Sequence, residues 1–228
     1  MSKILTFADK AIDFNRNLHL KSATDQVEVM NPFKNPETFK LTELFYRQYF
    51  DDTRPRHFLF GINPGRFGAG LTGISFTDPI NLEKACGIKN NFDKKPELSS
   101  QFIYLVIKAF GGPEEFYSKF FITAVSPLGF IQNGVNLNYY DSKELTKTLR
   151  PFIIETIEKQ IQFGAHLKIC ICIGGNKNFA FLKNLNQEFR FFEEIIPLEH
   201  PRFIMQYRRK FVDQFVKKYL DALKRCEQ

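Results

Sequence analysis

A glycine-rich loop carries the side chain whose position most suggests chemistry, the carboxamide of Asn63. The loop covers residues 61–76 and contains five glycines and a proline. Glycine is favoured where the chain bends sharply or where a ligand comes close to the backbone. The loop follows an apolar run, residues 57–62, that predicts a buried strand. In an open α/β sheet, ligands bind where strands pass into loops, so we expect a ligand site at Asn63.

Two other predicted strands end in residues that could join Asn63. The apolar run 120–125 ends at Ser126-Pro127, and the run 191–198 leads into His200-Pro201-Arg202. In a parallel sheet the carboxyl ends of the strands share one edge. We therefore expect these strand ends and His200 to meet Asn63, although they lie far apart in the sequence.

The elements that would position these residues alternate along the chain. Apolar residues at helical spacing separate four short apolar runs, which lie at 57–62, 120–125, 168–173 and 191–198. Strands that alternate with helices predict a parallel sheet covered on both faces. We expect an α/β fold, a three-layer α/β/α sandwich with a central four-stranded, mainly parallel sheet. Residues 1–228 are predicted to form one domain, with residues 1–30 as a helical N-terminal extension.

Composition bounds the cellular setting. The chain has 228 residues, of which 43% are hydrophobic, and no apolar run reaches the length of about 18 residues that indicates a membrane-spanning helix. The first residues lack the charged start, apolar block and small-residue cleavage site of a signal peptide. We expect a monomeric cytoplasmic protein, associated with the nucleoid if the source is bacterial.

The charge favours a polyanionic partner, and the cysteines do not indicate a metal site. The formal net charge is +7, and the segment 202–210 carries Arg202, Arg208, Arg209 and Lys210 without an acidic residue. Basic patches of this kind are the electrostatic footprint of nucleic-acid binding. The four cysteines lack the paired spacing of zinc or iron–sulfur sites. We expect buried, reduced thiols and no bound metal.

The glycine loop resembles the first motif of a known enzyme family. Residues 61–76 read Gly-Ile-Asn-Pro-Gly-Arg-Phe-Gly-Ala-Gly-Leu-Thr-Gly-Ile-Ser-Phe. They are similar, without a gap, to the motif of the single-strand-selective monofunctional uracil-DNA glycosylases, which reads Gly-Met-Asn-Pro-Gly-Pro-Phe-Gly and then Thr-Gly-Val-Pro-Phe. Residues 120–128 resemble the family's second strand, Cys-Phe-Val-His-Asn-His-Cys-Pro-Leu. His200-Pro201-Arg202 resembles the family's final His-Pro-Ser-Pro-Arg.

The resemblance implies roles for individual residues. The family removes damaged bases that are flipped out of DNA, with water and without a cofactor. Asn63 matches the residue that holds the attacking water, His200 the residue that hydrogen-bonds the departing base, and Phe76 the residue on which the base stacks. Ile62, Gly65 and Arg66 would lie against the base, with the backbone N–H groups of Gly65 and Arg66 near the base or a phosphate.

Two departures from the family pattern bear on specificity. The family reads the uracil edge with an asparagine where this chain has Ala124. Such a bidentate contact contributes ~1–3 kcal/mol of discrimination, so we expect weaker uracil selectivity or another deaminated base, with Thr123 or Ser126 as partial substitutes.

The final motif lacks the family's Ser-Pro insert, and Arg202, Phe203 and Met205 fill the loop predicted after it. We expect Phe203 or Met205 to act as the wedge in the DNA. Arg202, Arg208, Arg209 and Lys210 are predicted to bind DNA through its phosphates.

Two other functions remain compatible with the sequence. Ala124 is also expected in a catalytically weak relative that binds damaged DNA. A nucleotide-binding α/β enzyme would use the loop as a phosphate cradle, although the loop contains neither of the common glycine-rich phosphate motifs.

Overall fold

The computed structural model describes residues 4–21 and 23–228. Residues 1–3 and 22, which belong to the predicted N-terminal extension, lie outside the described residues. The strands are β1 (Glu28–Met30), β2 (His57–Gly61), β3 (Phe120–Ala124), β4 (Gly129–Gln132), β5 (Val135–Leu137), β6 (Ile169–Ile173) and β7 (Glu194–Leu198). The α-helices are α1 (Phe7–Asn17), α2 (Pro36–Phe50), α3 (Ala69–Thr72), α4 (Pro79–Lys84), α5 (Leu98–Phe110), α6 (Pro113–Lys119), α7 (Lys143–Ile161), α8 (Gly175–Phe189), α9 (Pro201–Tyr207) and α10 (Val212–Cys226).

Four parallel strands form the central sheet, in the order β3-β2-β6-β7. The connection from β2 to β3 runs through α5, and the connections from β3 to β6 and from β6 to β7 run in the opposite direction through α7 and α8. Because such crossovers are right-handed, α5 and the pair α7 and α8 cover opposite faces. The predicted three-layer sandwich with a four-stranded parallel sheet is therefore confirmed.

A second, three-stranded antiparallel sheet was not predicted. Its strand order is β1-β4-β5. Strands β4 and β5 form a hairpin that turns at Asn133 and Gly134, both of which have positive φ angles. The hairpin lies next to the carboxyl edge of the main sheet, where its Asn136 and Leu137 line the same cleft as the ends of β2 and β3.

Helix α1 is part of the hydrophobic core. Thr6 caps it by accepting a hydrogen bond from the Asp9 backbone N–H at 3.1 Å. Its Phe7 ring stacks on Phe50 with centroids 5.3 Å apart and meets the edge of Phe121 at 5.0 Å. Much of the phenylalanine in the chain is used in this way, as core filling.

The four cysteines are buried and unpaired, as predicted. Within the described residues, no helix has both the length and the apolar character needed to cross a membrane.

Candidate active site

A cleft of about 460 Å³ lies at the carboxyl edge of the main sheet. It is centred where the chain leaves the neighbouring strands β2 and β6. From β2 the chain continues to β3 on one side of the pair, and from β6 it continues to β7 on the other side. Such a topological switch point leaves a crevice that serves as a ligand site in open α/β sheets. The cleft receives Asn63 from the loop after β2, Ala124 from the end of β3 and His200 from the end of β7.

Most of the residues predicted for the site line this cleft, and a few do not. Those at the cleft are Ile62, Asn63, Gly65, Arg66, Phe76, Ala124, His200, Arg202 and Phe203. Ser126 and Met205 are buried elsewhere. Arg208, Arg209 and Lys210 lie on the exposed surface just beyond α9.

The Asn63 side chain is fixed by backbone groups of the last residue of β5 and of the chain just after it. Its Oδ1 accepts a hydrogen bond from the Tyr139 N–H at 3.1 Å, and its Nδ2 donates to the Leu137 carbonyl at 3.0 Å. The two backbone groups determine which end of the amide is oxygen, because an N–H must meet an acceptor and a carbonyl must meet a donor. One lone pair of Oδ1 stays available, so this atom can accept a hydrogen bond from a water in the cleft.

His200 is held by its place before α9. It is the N-cap of this helix, and its Nδ1 accepts a hydrogen bond from the Arg202 backbone N–H at 3.2 Å. An Nδ1 that accepts leaves the ring proton on Nε2. Burial, together with a smaller effect of the Arg202 charge, lowers the pKa of His200 to about 4. The imidazole is therefore neutral near pH 7 and donates through Nε2.

The low pKa of His200 predicts a titration that NMR can follow. Because burial disfavours the charged form, the ring stays neutral down to about pH 5. A plot of reaction rate against pH should therefore show no inflection near pH 6.5 from the titration of His200. We expect the His200 imidazole signals of ¹⁵N-labelled protein, assigned with a His200→Gln variant, to report the Nε2–H tautomer between pH 6 and 8. A midpoint above pH 6 would contradict this geometry.

Phe76 reaches the cleft through a strained backbone. Its φ angle is +53°, in the left-handed region that costs most residues ~1–2 kcal/mol. Its ring rests against His200, with centroids 5.6 Å apart. A Cβ built at Gly61 would lie 2.8 Å from Phe76 Cε2. The glycine at the end of β2 therefore leaves the space that the ring occupies.

Adding a methyl group at position 61 is expected to displace the Phe76 ring. Since a shift of about 1 Å at a reacting site can cost ~10²-fold in rate, Gly61→Ala should lower activity ~10–100-fold while the protein stays folded. Single-turnover kinetics of wild type, Gly61→Ala, Phe76→Ala and the double variant measure this. If Gly61→Ala acts by displacing the Phe76 ring, the double variant should lose little more activity than Phe76→Ala alone. Multiplicative losses would contradict the mechanism.

Ala124 presents only a methyl group to the cleft, and its neighbours do not replace the missing amide. The Thr123 hydroxyl donates to Gln160 Oε1, and the Ser126 hydroxyl donates to the Leu128 carbonyl at 3.0 Å. Ser126 is fully buried beyond the cleft. Its prediction as a substrate-binding residue is therefore wrong, because its hydroxyl closes the turn after β3.

Two of the polar residues that line the cleft, Asn136 and Glu97, were not predicted. Asn136 on β5 lines it, with an Oδ1 that is buried and has no hydrogen-bond partner among the described residues. The Arg66 Nε is also buried and has no hydrogen-bond partner among the described residues. Glu97, next to α5, also lines the cleft, and burial raises the pKa of its carboxyl. The asparagines of residues 132–140 were the available signal for Asn136, whereas no sequence pattern pointed to Glu97.

The segment after His200 is a helix rather than the predicted loop, and this decides which side chains reach the surface. Met205 is buried, with 7% of its surface exposed. It therefore cannot be the wedge that was predicted as one of two choices. Phe203 and Tyr207 are exposed at 41% and 61%, and their rings lie 5.6 Å apart. Tyr207 takes the outward position that was assigned to Met205.

The basic side chains next to these rings form no close ion pair with a described acidic residue. Among the described residues, no ion pair involves any of the four cations predicted for DNA, Arg202, Arg208, Arg209 and Lys210. The Arg208 guanidinium lies over the Phe203 ring, 5.6 Å from its centroid. The rim of the cleft thus combines exposed aromatic rings with positive charge, of which Arg202 acts electrostatically on Glu97 in the cleft.

Comparisons with known proteins agree with this geometry. The family model of the uracil DNA glycosylase superfamily matches residues 47–224. The crystal structure of wild-type Pedobacter heparinus SMUG2 superposes with a TM-score of 0.95 at 45% sequence identity, over 98% of this chain and 99% of that one. No curated protein matches the sequence. The resemblance found in the glycine loop is thus confirmed, and the chain belongs to the uracil-DNA glycosylase superfamily.

Proposed function

We propose that this protein is a monofunctional DNA glycosylase that hydrolyses the N-glycosidic bond of uracil or a related deaminated base, as the first step of base excision repair. The observation that carries the proposal is that Asn63 and Phe76, from the glycine loop, meet His200, from the distant end of β7, in one cleft. The family membership supports the same reaction class. A cleft of this size can enclose a flipped base with its sugar.

The chemistry divides between two neutral side chains. Asn63 Oδ1 accepts a hydrogen bond from a water and so directs the oxygen of this water at the sugar carbon. The glycosidic bond breaks with its electron pair on the base, which leaves as an anion and receives the Nε2–H hydrogen bond of His200. The water oxygen bonds to the sugar carbon, and its proton is lost to solvent. Preorganised donors of this kind are usually the largest single contribution to such a reaction.

The side chains that line the cleft among the described residues support a monofunctional enzyme. A lyase reaction requires a nucleophilic amine that forms a Schiff base with the sugar. Among the described residues, those lining the cleft include Arg66 and Arg202 but no lysine. We therefore propose that the reaction stops at the abasic site and uses no cofactor.

We propose DNA as the partner of the rim, with Phe203 and Tyr207 as the side chains that enter between unstacked bases. Their exposed rings suit the apolar wedges of proteins that kink DNA, and the surrounding arginines suit phosphate oxygens. The protein would act as a monomer in the cytoplasm, in association with the nucleoid if its source is bacterial.

Removing two of the rim cations is expected to weaken DNA binding and flatten its salt dependence. Each phosphate contact contributes about 0.7 to the slope of log K against log salt on single strands, so Arg208→Ala with Arg209→Ala should lower the slope by about 1.4. Lys108→Ala with Lys168→Ala is the matched control, because both lysines are exposed and lie toward the opposite edge of the sheet. Equal slopes for the two double variants would refute the footprint.

A catalytically weak binder of damaged DNA is the second candidate, and Ala124 favours it because the base-reading amide is missing. A panel of single- and double-stranded oligonucleotides with uracil, xanthine, hypoxanthine or hydroxymethyluracil separates the two. We expect the wild-type protein to release at least one of these bases. Tight binding to the panel without any base release would favour the binding protein, and mononucleotide binding without DNA binding would favour a nucleotide-dependent enzyme.

A further inference from the structure

A second, small cavity lies directly behind Ala124. Its volume is about 30 Å³, and five residues line both this cavity and the main cleft, namely Pro64, Ala69, Ser75, Thr123 and Ala124. A water needs roughly 10–15 Å³ of such space and two to four polar partners. The cavity therefore has room for one ordered water next to the cleft, with which it shares these five lining residues.

Two unpaired donors line the cavity. The amide nitrogens of Asn15 and Gln160 are buried and have no hydrogen-bond partner among the described residues, and the two side chains are only 5% and 1% exposed. Gln160 is oriented by Thr123, whose hydroxyl donates to its Oε1. The Asn15 amide acts on the neighbouring Tyr46 hydroxyl, but an amide nitrogen carries two N–H groups, so one of them is left for a water. A buried donor without a partner costs ~1–3 kcal/mol, which a water in the cavity would recover.

The two donors determine what such a water can offer. A water has two lone pairs, and N–H groups of Asn15 and Gln160 would occupy both. It is then left with its O–H groups, which can only donate. Deaminated bases carry a carbonyl oxygen where their parent bases carry an amine, so a group that only donates accepts uracil, hypoxanthine or xanthine and disfavours cytosine, adenine or guanine.

We propose that Asn15 and Gln160 hold an ordered water behind Ala124, and that this water reads the carbonyl oxygen of the flipped base in place of a carboxamide side chain at position 124. The inference rests on the proposed glycosylase function. It makes Asn15 and Gln160 positioning residues, because they act on the base through the water. It also explains how a methyl group at position 124 is compatible with recognition of a deaminated base.

The first test is a crystal structure of the wild-type protein at a resolution that shows ordered water. We expect a water within ~2.7–3.2 Å of both Asn15 Nδ2 and Gln160 Nε2. A dry cavity, or a water that contacts neither nitrogen, would overturn the proposal. This outcome is independent of any measured activity.

The second test is kinetic. Asn15→Leu removes one of the two donors to the water and should lower the rate of single-turnover uracil release ~10-fold. The control is Thr156→Val, which removes a buried hydroxyl on α7 one turn before Gln160 and should leave the rate unchanged. Adding Ala124→Asn to Asn15→Leu should restore most of the lost rate, because the new side chain supplies its own amide.

The outcomes separate the two proposals. An unchanged rate in Asn15→Leu, or a loss that Ala124→Asn does not restore, would overturn the water-reading role, since damage to packing alone would not be rescued at position 124. If the wild-type protein releases no base while the water is present, the glycosylase function fails and the water site stands as a structural feature only.

Discussion

Replacing His200 with alanine is expected to lower the rate of base release ~10²–10³-fold. Loss of one preorganised donor to a developing anion typically costs this much. The His200 ring is neutral and held as the Nε2–H donor by the hydrogen bond from Arg202 N to Nδ1. The deficit should therefore appear in the single-turnover rate at saturating protein, and DNA affinity should change little.

The control for this variant is His19→Ala, since His19 is exposed and does not line the cleft. His200→Gln is informative beside it, because a glutamine amide can donate but lacks the fixed ring geometry. We expect it to recover part of the loss. A His200→Ala protein with the wild-type single-turnover rate would remove this residue from the reaction.

Replacing Asn63 with alanine is expected to lower the rate ~10²-fold. The variant loses the oxygen that would hold the attacking water, and correct positioning of a reactant contributes on this scale. It also releases the Leu137 carbonyl and the Tyr139 N–H from their side-chain partner. Rapid-quench measurement of base release under single-turnover conditions gives the size of the effect.

Asn184→Ala is the matched control, because Asn184 is an exposed asparagine in the middle of α8. Asn63→Asp tests the orientation of the amide. It keeps the shape and the Oδ1 acceptor but sets a carboxylate oxygen against the Leu137 carbonyl, so we expect lower stability than wild type. Wild-type rates in Asn63→Ala would mean that the water is held by other groups.

The parallel sheet was predictable because its strands are continuous apolar runs that end in glycine, proline or polar residues. Residues 169–173 are buried throughout, which is the sequence signature of a strand covered on both faces. The antiparallel sheet was not predictable in the same way. Its strands have three or four residues each, and pairing of β1 with β4 joins segments about 100 positions apart, as in Glu28 with Ile131.

The residues of the candidate site were predictable where they belong to a sequence motif. They were not predictable after His200, where the chain forms α9 instead of the predicted loop. Asn63, Phe76 and His200 were found from motifs and meet in the cleft. Met205 was misassigned because the segment after His200 was expected to be irregular. Pro201 at the first helical position starts α9 there, and the helical period then turns Met205 inward.

Ser126 failed for a different reason. Its position after β3 was correct, but its hydroxyl bonds to the Leu128 carbonyl, a short-range contact that competes with any ligand. The sequence also could not reveal that Asn15 and Gln160, on α1 and α7, would meet behind Ala124. Such contacts between distant buried amides depend on packing and leave no local pattern.

The central claim is that this cleft hydrolyses a glycosidic bond with water and without a covalent enzyme intermediate. The most direct test incubates excess protein with single-stranded oligonucleotides that carry uracil or xanthine, measures free base by mass spectrometry, and adds borohydride to trap any Schiff base. We predict free base from the wild-type protein, an intact abasic strand, no trapped complex, and almost no base from an Asn63→Ala, His200→Ala double variant. No free base from wild type, a trapped complex, or an equal yield from the double variant would contradict the account.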